Sequence, residues 1–203
     1  MSAAKKFSVQ IGPIKIKTDN KTAAKALLAY SLQEAGVITI SRPAANGDLV
    51  LPAVGSVWPG QGGVYAGLVR GEDGQPKHHL VVATDDAGKL KGEWGNYGSE
   101  IKGTSSRNDG VANTNAMADA GSKLAKAVLA LEIEGRADYY LPAQAELMLC
   151  FANAREHFDK EWHWSSTQSS ANIAWSQDFS NGYVGNGAKV CEFRARAVRR
   201  IPE

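Results

Sequence analysis

Residues 164–201 read WSSTQSSANIAWSQDFSNGYVGNGAKVCEFRARAVRRI, and this stretch decides the fold. Trp175, Gln177 and Phe179 alternate with Ser176, Asp178 and Ser180. Successive side chains of a strand point to opposite faces. The spacing therefore predicts a strand with its large side chains toward the core and its short polar ones toward solvent. Asn181-Gly182 is a turn signal, and the residues from Asn181 to Lys189 read as a loop. Phe193, Ala195 and Ala197 then alternate with Arg194, Arg196 and Val198 in one final strand that ends at Ile201. Trp164, Trp175 and Phe179 are the expected buried anchors.

Working upstream, Tyr139-Tyr140-Leu141 is a short extended piece, and Pro142 opens a helix through about His157 with Leu147, Cys150, Phe151 and Ala154 on one face. A second helix is predicted over about Asn115–Glu134, from Met117, Leu124, Val128 and Leu131 at helical spacing. The stretch from Gly88 to Asn115 is polar and Gly-rich, and a loop of that length is uncommon unless it packs or functions. Val64–Val69 and Leu80–Ala83 read as partner strands around the turn Gly71–Pro76. At the start of the chain, Phe7, Val9 and Ile11, then Ile14 and Ile16, flank Gly12-Pro13 as strand, turn and strand. A helix from Asp19 or Asn20 to Gly36, a short strand Val37–Ile40 and a linker Arg42–Asp48 follow. This organisation predicts an N-terminal docking or oligomerisation element, 1–46, and a main domain, 47–203. The fold class is α+β, with two helices on a small twisted antiparallel sheet.

Composition narrows the function classes. The chain has 203 residues, 43% hydrophobic and 22% charged, enough to bury a real core. A net charge of +2 points to neither a nucleic-acid nor a membrane partner. No continuous apolar run follows the basic Met1–Lys6, so no signal peptide is expected, and no stretch reaches the length of a membrane span. Synthesis in the cytoplasm follows as the expectation. Cys150 and Cys191 belong to no CxxC pair, so no disulfide framework is expected, and Cys150 reads as a buried small residue.

The candidate chemistry is thin. His157, Asp159, Glu161 and His163 cluster in sequence, but their spacing is not that of a zinc motif. His78-His79 would send one ring to each face of a strand. Trp58-Pro59-Gly60-Gln61-Gly62-Gly63 lacks the Lys-Ser/Thr ending of a phosphate loop and reads as a tight turn. Arg194, Arg196, Arg199 and Arg200 read as a solvated strand paired with Asp and Glu. No Ser-His-Asp or paired-carboxylate arrangement stands out. No catalytic residue, metal or cofactor is assigned.

Tyr139-Tyr140-Leu141-Pro142, Glu146-Leu147, Trp164-Ser165-Ser166-Thr167, Ala174-Trp175, Phe179, Asn181-Gly182 and Arg196-Ala197-Val198-Arg199 together resemble a phage and bacterial C-type-lectin-like domain, the Lcl C-terminal-like family. The resemblance covers about 47–201 and is most specific from Tyr139 onward. Within that family, the tail is similar to the variable proteins of diversity-generating retroelements, which keep a scaffold and mutate selected adenine-containing codons. Trp164–Thr167, Ala171, Asn172, Ala174, Trp175, Gln177, Phe179, Gly182, Lys189, Arg194 and Arg196–Arg199 match the scaffold. Ile173, Ser176, Asp178, Ser180, Tyr183–Ala188, Val190, Cys191 and Phe193 would be the diversified set. Each of these residue types is reachable from an Asn codon by changing adenines alone.

The resemblance implies a non-enzymatic ligand- or receptor-binding protein of a phage virion, in a tail or head fibre. Its partners would be a host surface protein or glycan and other virion proteins, and it would form a homo-oligomer, most simply a trimer. The implied ligand-binding residues are Ile173, Ser176, Asp178, Ser180, Tyr183, Val184, Asn186, Val190 and Phe193, with Tyr183 and Phe193 as anchors, since aromatics dominate interface energetics. Tyr among Gly, Ser and Asn is also the composition of adaptable binding surfaces. Two other classes stand beside this one. One is a structural virion or decoration protein without strong affinity. The other is an enzyme related to formylglycine-generating oxidases, which depend on a cysteine pair.

Overall fold

A computed structural model describes residues 7–11, 14–18, 51–72, 74–84 and 86–203. The chain divides into two compact units, Met1–Val50 and Leu51–Glu203. In the first, strands β1 (Phe7–Ile11) and β2 (Ile14–Thr18) pair antiparallel, with Phe7 opposite Thr18 and Ile11 opposite Ile14. The predicted helix to Gly36, the strand Val37–Ile40 and the linker Arg42–Asp48 lie outside the described residues.

The second unit is α+β, with two sheets where one was expected. A four-stranded sheet has the order β11-β5-β4-β3, from β3 (Val57–Trp58), β4 (Gly63–Val69), β5 (His78–Ala83) and β11 (Val198–Pro202). A five-stranded sheet has the order β6-β10-β7-β8-β9, from β6 (Lys89–Gly92), β7 (Trp162–Gln168), β8 (Ile173–Asp178), β9 (Val184–Ala188) and β10 (Phe193–Arg196). All its pairings are antiparallel except β10 with β7, where Arg194 lies opposite His163.

The final run, read as one strand, is two. At Ala197 the chain leaves the five-stranded sheet and enters the other. There Ala197 O accepts from Ala83 N at 3.0 Å, and Ala197 N donates to Gly88 O at 3.0 Å. Alternation cannot reveal such a switch, because the side-chain period continues unbroken through it.

The helix expected over Asn115–Glu134 is also two: α1 (Gly110–Asp119) and α2 (Lys123–Leu129). Gly121, at φ +96°, ends the first run. Ser122 caps the second, accepting from Ala125 N at 3.3 Å, and Asp109 caps the first. Glu134 lies beyond both helices at positive φ, beside the bridge between Ile133 and Arg136. Helix α3 (Gln144–Ala154) starts after Pro142, and a single 3-10 turn carries the chain to His157. At its first turn Glu146 reaches back to accept from Ala143 N at 2.7 Å. The same fully buried carboxylate accepts from Tyr140 OH at 2.7 Å and meets His78 Nε2 at 3.0 Å. One acid thereby joins α3, β5 and the extended 139–141 segment. His79, as the alternation requires, turns to the other side, with Nδ1 2.9 Å from Tyr65 OH.

The core has two main clusters. Trp94, Met117, Leu124, Val128, Leu141 and Trp164 fill one, and Val64, Leu80, Leu147, Cys150, Phe179 and Val198 belong to the other. The stretch read as a long loop begins with β6 and then folds onto the first cluster. Trp94, fully buried, donates Nε1–H to Ser165 O at 2.8 Å. Lys189, also fully buried, donates to Ser99 O at 2.7 Å and Gln168 Oε1 at 2.6 Å, with its ammonium 4.8 Å from the Trp94 ring centroid. Burial lowers the Lys189 pKa to about 8, and the charge of Glu100 only partly opposes it.

Candidate functional site

The strand registers place the nine candidate residues. Trp164 pairs with Ser176 and Ser176 with Gly185, so these three share one face of the five-stranded sheet, together with Trp162, Asp178 and Gly187. Trp175, Asn186, Ile173 and Val184 share the other. Phe193 belongs to the first face, because its ring lies 4.4 Å from Trp164 and 5.9 Å from Trp162. Tyr183 meets Trp162 edge-on at 6.0 Å.

The first face is an aromatic surface over glycine. A Cβ on Gly185 would lie 3.0 Å from Tyr183 Cε1 and 3.2 Å from Trp162 Cη2, and one on Gly187 would lie 2.5 Å from Phe193 Cε2. The rings close onto β9 because these two positions carry no side chain. Tyr183 stays 66% exposed. Phe193 is half-buried and joins the core through Trp164.

A depression of about 370 Å³ on this face is lined by Lys160, Glu161, Trp162, Asp178, Ser180, Glu192 and Phe193. Asp178, Ser180 and Phe193 of the candidates therefore come together there. Asp178 is spoken for: Oδ1 accepts from Ser180 N at 2.8 Å and Ser180 Oγ at 2.7 Å, and Oδ2 from Asn181 Nδ2 at 3.1 Å. Those bonds to Ser180 and Asn181 hold its carboxyl below the usual range. Glu161 is held low by its hydrogen bond from Arg194, at 3.0 Å.

Two expectations are corrected. Ser176, read as outward, is buried at 1% exposure, and Trp175, read as an anchor, is only half-buried, with the Arg107 guanidinium 5.7 Å from its ring centroid. Trp164 and Phe179 are buried as expected. The reversal of this pair follows from the register with β7: Trp164 fills the space opposite Ser176 and leaves room for only a small residue there. The Asn181–Lys189 loop is in fact mostly strand, β9. Ile173, Val184 and Asn186 lie on the Trp175 side, and Val190 stands exposed in the turn after β9. The nine residues thus border β9 on both faces instead of covering one. Trp162, Glu192 and Lys160 were not singled out by the sequence reading. The Trp162-x-Trp164 spacing, two rings on one strand face, was the available signal.

The other chemistry resolves into structure. Cys150 is fully buried, and burial pushes its thiol well above the usual range, while Cys191 is half-buried and also free. Among the described residues no three His, Cys, Asp or Glu side chains gather as a metal site, and no helix is long and apolar enough to cross a membrane. His163 is buried against Phe158 and Phe179. The arginine run is less solvated than expected. Arg199 is buried in a two-bond pair with Asp138, at 2.7 and 2.8 Å, and Arg196 is buried with a bond to His157 O. Arg194 and Arg200 pair with Glu161 and Asp109.

No protein-family model matches the chain, and no curated protein matches it.

Proposed function

We propose that this chain is a non-enzymatic binding protein with a C-type-lectin-like domain, whose ligand surface surrounds strand β9 and is centred on Tyr183. The observation that carries the reading is the Tyr183 ring, two-thirds exposed yet fixed against Trp162 over a strand of small residues. A ring held in that way loses little entropy on binding, which is why aromatics serve as interface anchors. Most of the residues that the resemblance marks as variable border this strand, and Trp164, Phe179, Arg196 and Arg199 of the matched scaffold are buried. Recognition residues on a rigid scaffold can change without unfolding it. In this reading the protein is displayed on a phage particle as an oligomer and meets a host surface component. Repetition then converts weak single-site binding into avidity.

The test is binding of the full-length protein to cells of candidate bacterial hosts. Tyr183→Ala should lower binding at least tenfold and leave the melting temperature within a degree or two. Parental binding by a well-folded Tyr183→Ala protein overturns the proposal. Phe193 is unsuited to the same test, since its contact with Trp164 makes truncation a stability mutation.

A further inference from the structure

The outer edge of β9 is an open hydrogen-bonding edge. Asp178 N donates to Tyr183 O at 2.9 Å, and Lys189 N donates to Asn172 O at 3.0 Å. In the register of β8 with β9, bonded pairs alternate with unbonded ones. Tyr183, Gly185, Gly187 and Lys189 therefore point their backbone groups at β8, and Val184, Asn186 and Ala188 point theirs away. Among the described residues, sheet order leaves β9 with no strand on that side. Ala188 O is taken by Cys191 N at 2.8 Å, which leaves both groups of Val184 and Asn186 and the N–H of Ala188.

Exposed edges are ordinarily protected by a charged residue, a proline or a bulge. The sequence of β9, VGNGA, has no charge and no proline, and its pairing with β8 has no register shift. Five residues span about 17 Å.

We infer that the β9 edge binds an extended segment of a partner polypeptide, which adds to the five-stranded sheet as a sixth strand. This rests on the reading of the β9 region as the ligand surface and narrows its ligand to a peptide strand. Backbone bonds from Val184, Asn186 and Ala188 would supply affinity, and alternate side chains would supply selectivity. One set would fall beside Tyr183 on the aromatic face, which favours apolar residues there. A second copy pairing edge to edge is a poorer fit. A stable interface buries roughly 1,200–2,000 Å², more than a five-residue edge supplies, and Ala188 O is already occupied.

The experiment selects a displayed library of random twelve-residue peptides on the full-length protein, then measures the affinity of synthesised binders for variants. Asn186→Pro removes one outward N–H and blocks the edge while sparing every bond to β8. Val184→Pro does the same at the first strand residue and is the second variant should the other fail to fold, each being checked by its melt. The expected result is binders with apolar residues at alternate positions, weakened at least tenfold by either proline and little by Asn186→Ala. Binders weakened by Tyr183→Ala but untouched by the prolines overturn the edge inference and leave the surface reading standing. Binders indifferent to all of these variants overturn both, and a library that yields no binder overturns the edge inference.

Discussion

His163 makes acid the condition under which this fold should weaken first. Its ring lies 5.1 Å from Phe158 and 4.8 Å from Phe179, and Nδ1–H donates to Glu161 O at 2.9 Å. That leaves Nε2 among rings. Burial lowers its pKa from 6.5 to about 4, and the bond to Glu161 O only partly opposes this. The unfolded chain takes up the proton near pH 6.5, where the folded protein does not. Stability is therefore full above pH 6.5 and is lost as pH falls from 6.5 toward 4. At 1.36 kcal/mol per pH unit the loss is roughly 3 kcal/mol across that window. The perturbation is His163→Leu, which keeps an apolar side chain between the two rings and cannot titrate. The assay is urea unfolding at several pH values from 7.5 to 4, followed by tryptophan fluorescence. The difference in unfolding free energy between parent and variant should move by about 3 kcal/mol in favour of the variant as pH falls. A constant difference over the whole range would refute the argument, because every other titrating group is shared.

Three further outcomes follow from the packing. Trp164→Ala should cost about 3–5 kcal/mol, which in a domain of this size lowers the melting temperature by on the order of 10 °C. Trp175→Ala should cost about 1 kcal/mol, and equal losses in calorimetry would contradict the different burial of the two rings. Gly187→Ala should destabilise by about 1–3 kcal/mol by forcing Phe193 aside. Phe193→Ala should relieve that cost, so a double-mutant cycle should give a coupling of at least about 0.5 kcal/mol. Lys189→Met should raise hydrogen exchange at least tenfold at Ile101, whose N–H bonds Gln168 Oε1 beside the ammonium. Unchanged exchange there would show that the lysine does not hold the 93–104 segment.

Local pattern was a good guide where one element meets one partner. The hairpin of β4 and β5, the extended 139–141 segment and α3 were legible from alternation, turn residues and apolar spacing. Three features were not. Gly121 and Ser122 sit inside a continuous apolar period, so the break between α1 and α2 is carried by a cap instead of by hydrophobicity. The exchange of sheets at Ala197 leaves the period of two intact. Trp175 and Ser176 of β8 were reversed because size was taken for burial, while Gln177 and Phe179 are buried as read. Ser176 is inside since Trp164 on the neighbouring strand occupies the space, and only the register reveals that. For the candidate surface, Tyr183 was legible as an exposed aromatic among small residues. The glycines of β9 were read as a loop because their value lies in the rings that close over them, which are distant in sequence.

The crossing at Ala197 also sets a schedule for the newborn chain. Among the described residues strand β6 pairs with β10 alone, and β5 waits for β11 to complete its pairing. Both partners lie within the last eleven residues, more than a hundred positions downstream. Long-range pairing of this kind is slow and is settled late. On the ribosome, the 51–192 portion must wait with unpaired edges until those residues emerge. A chain cut short at Arg196 would have β10 but no β11, and one cut at Cys191 would have neither. Losing either of these two strands therefore leaves a sheet edge unpaired far upstream, so the integrity of 51–92 depends on residues 193–202.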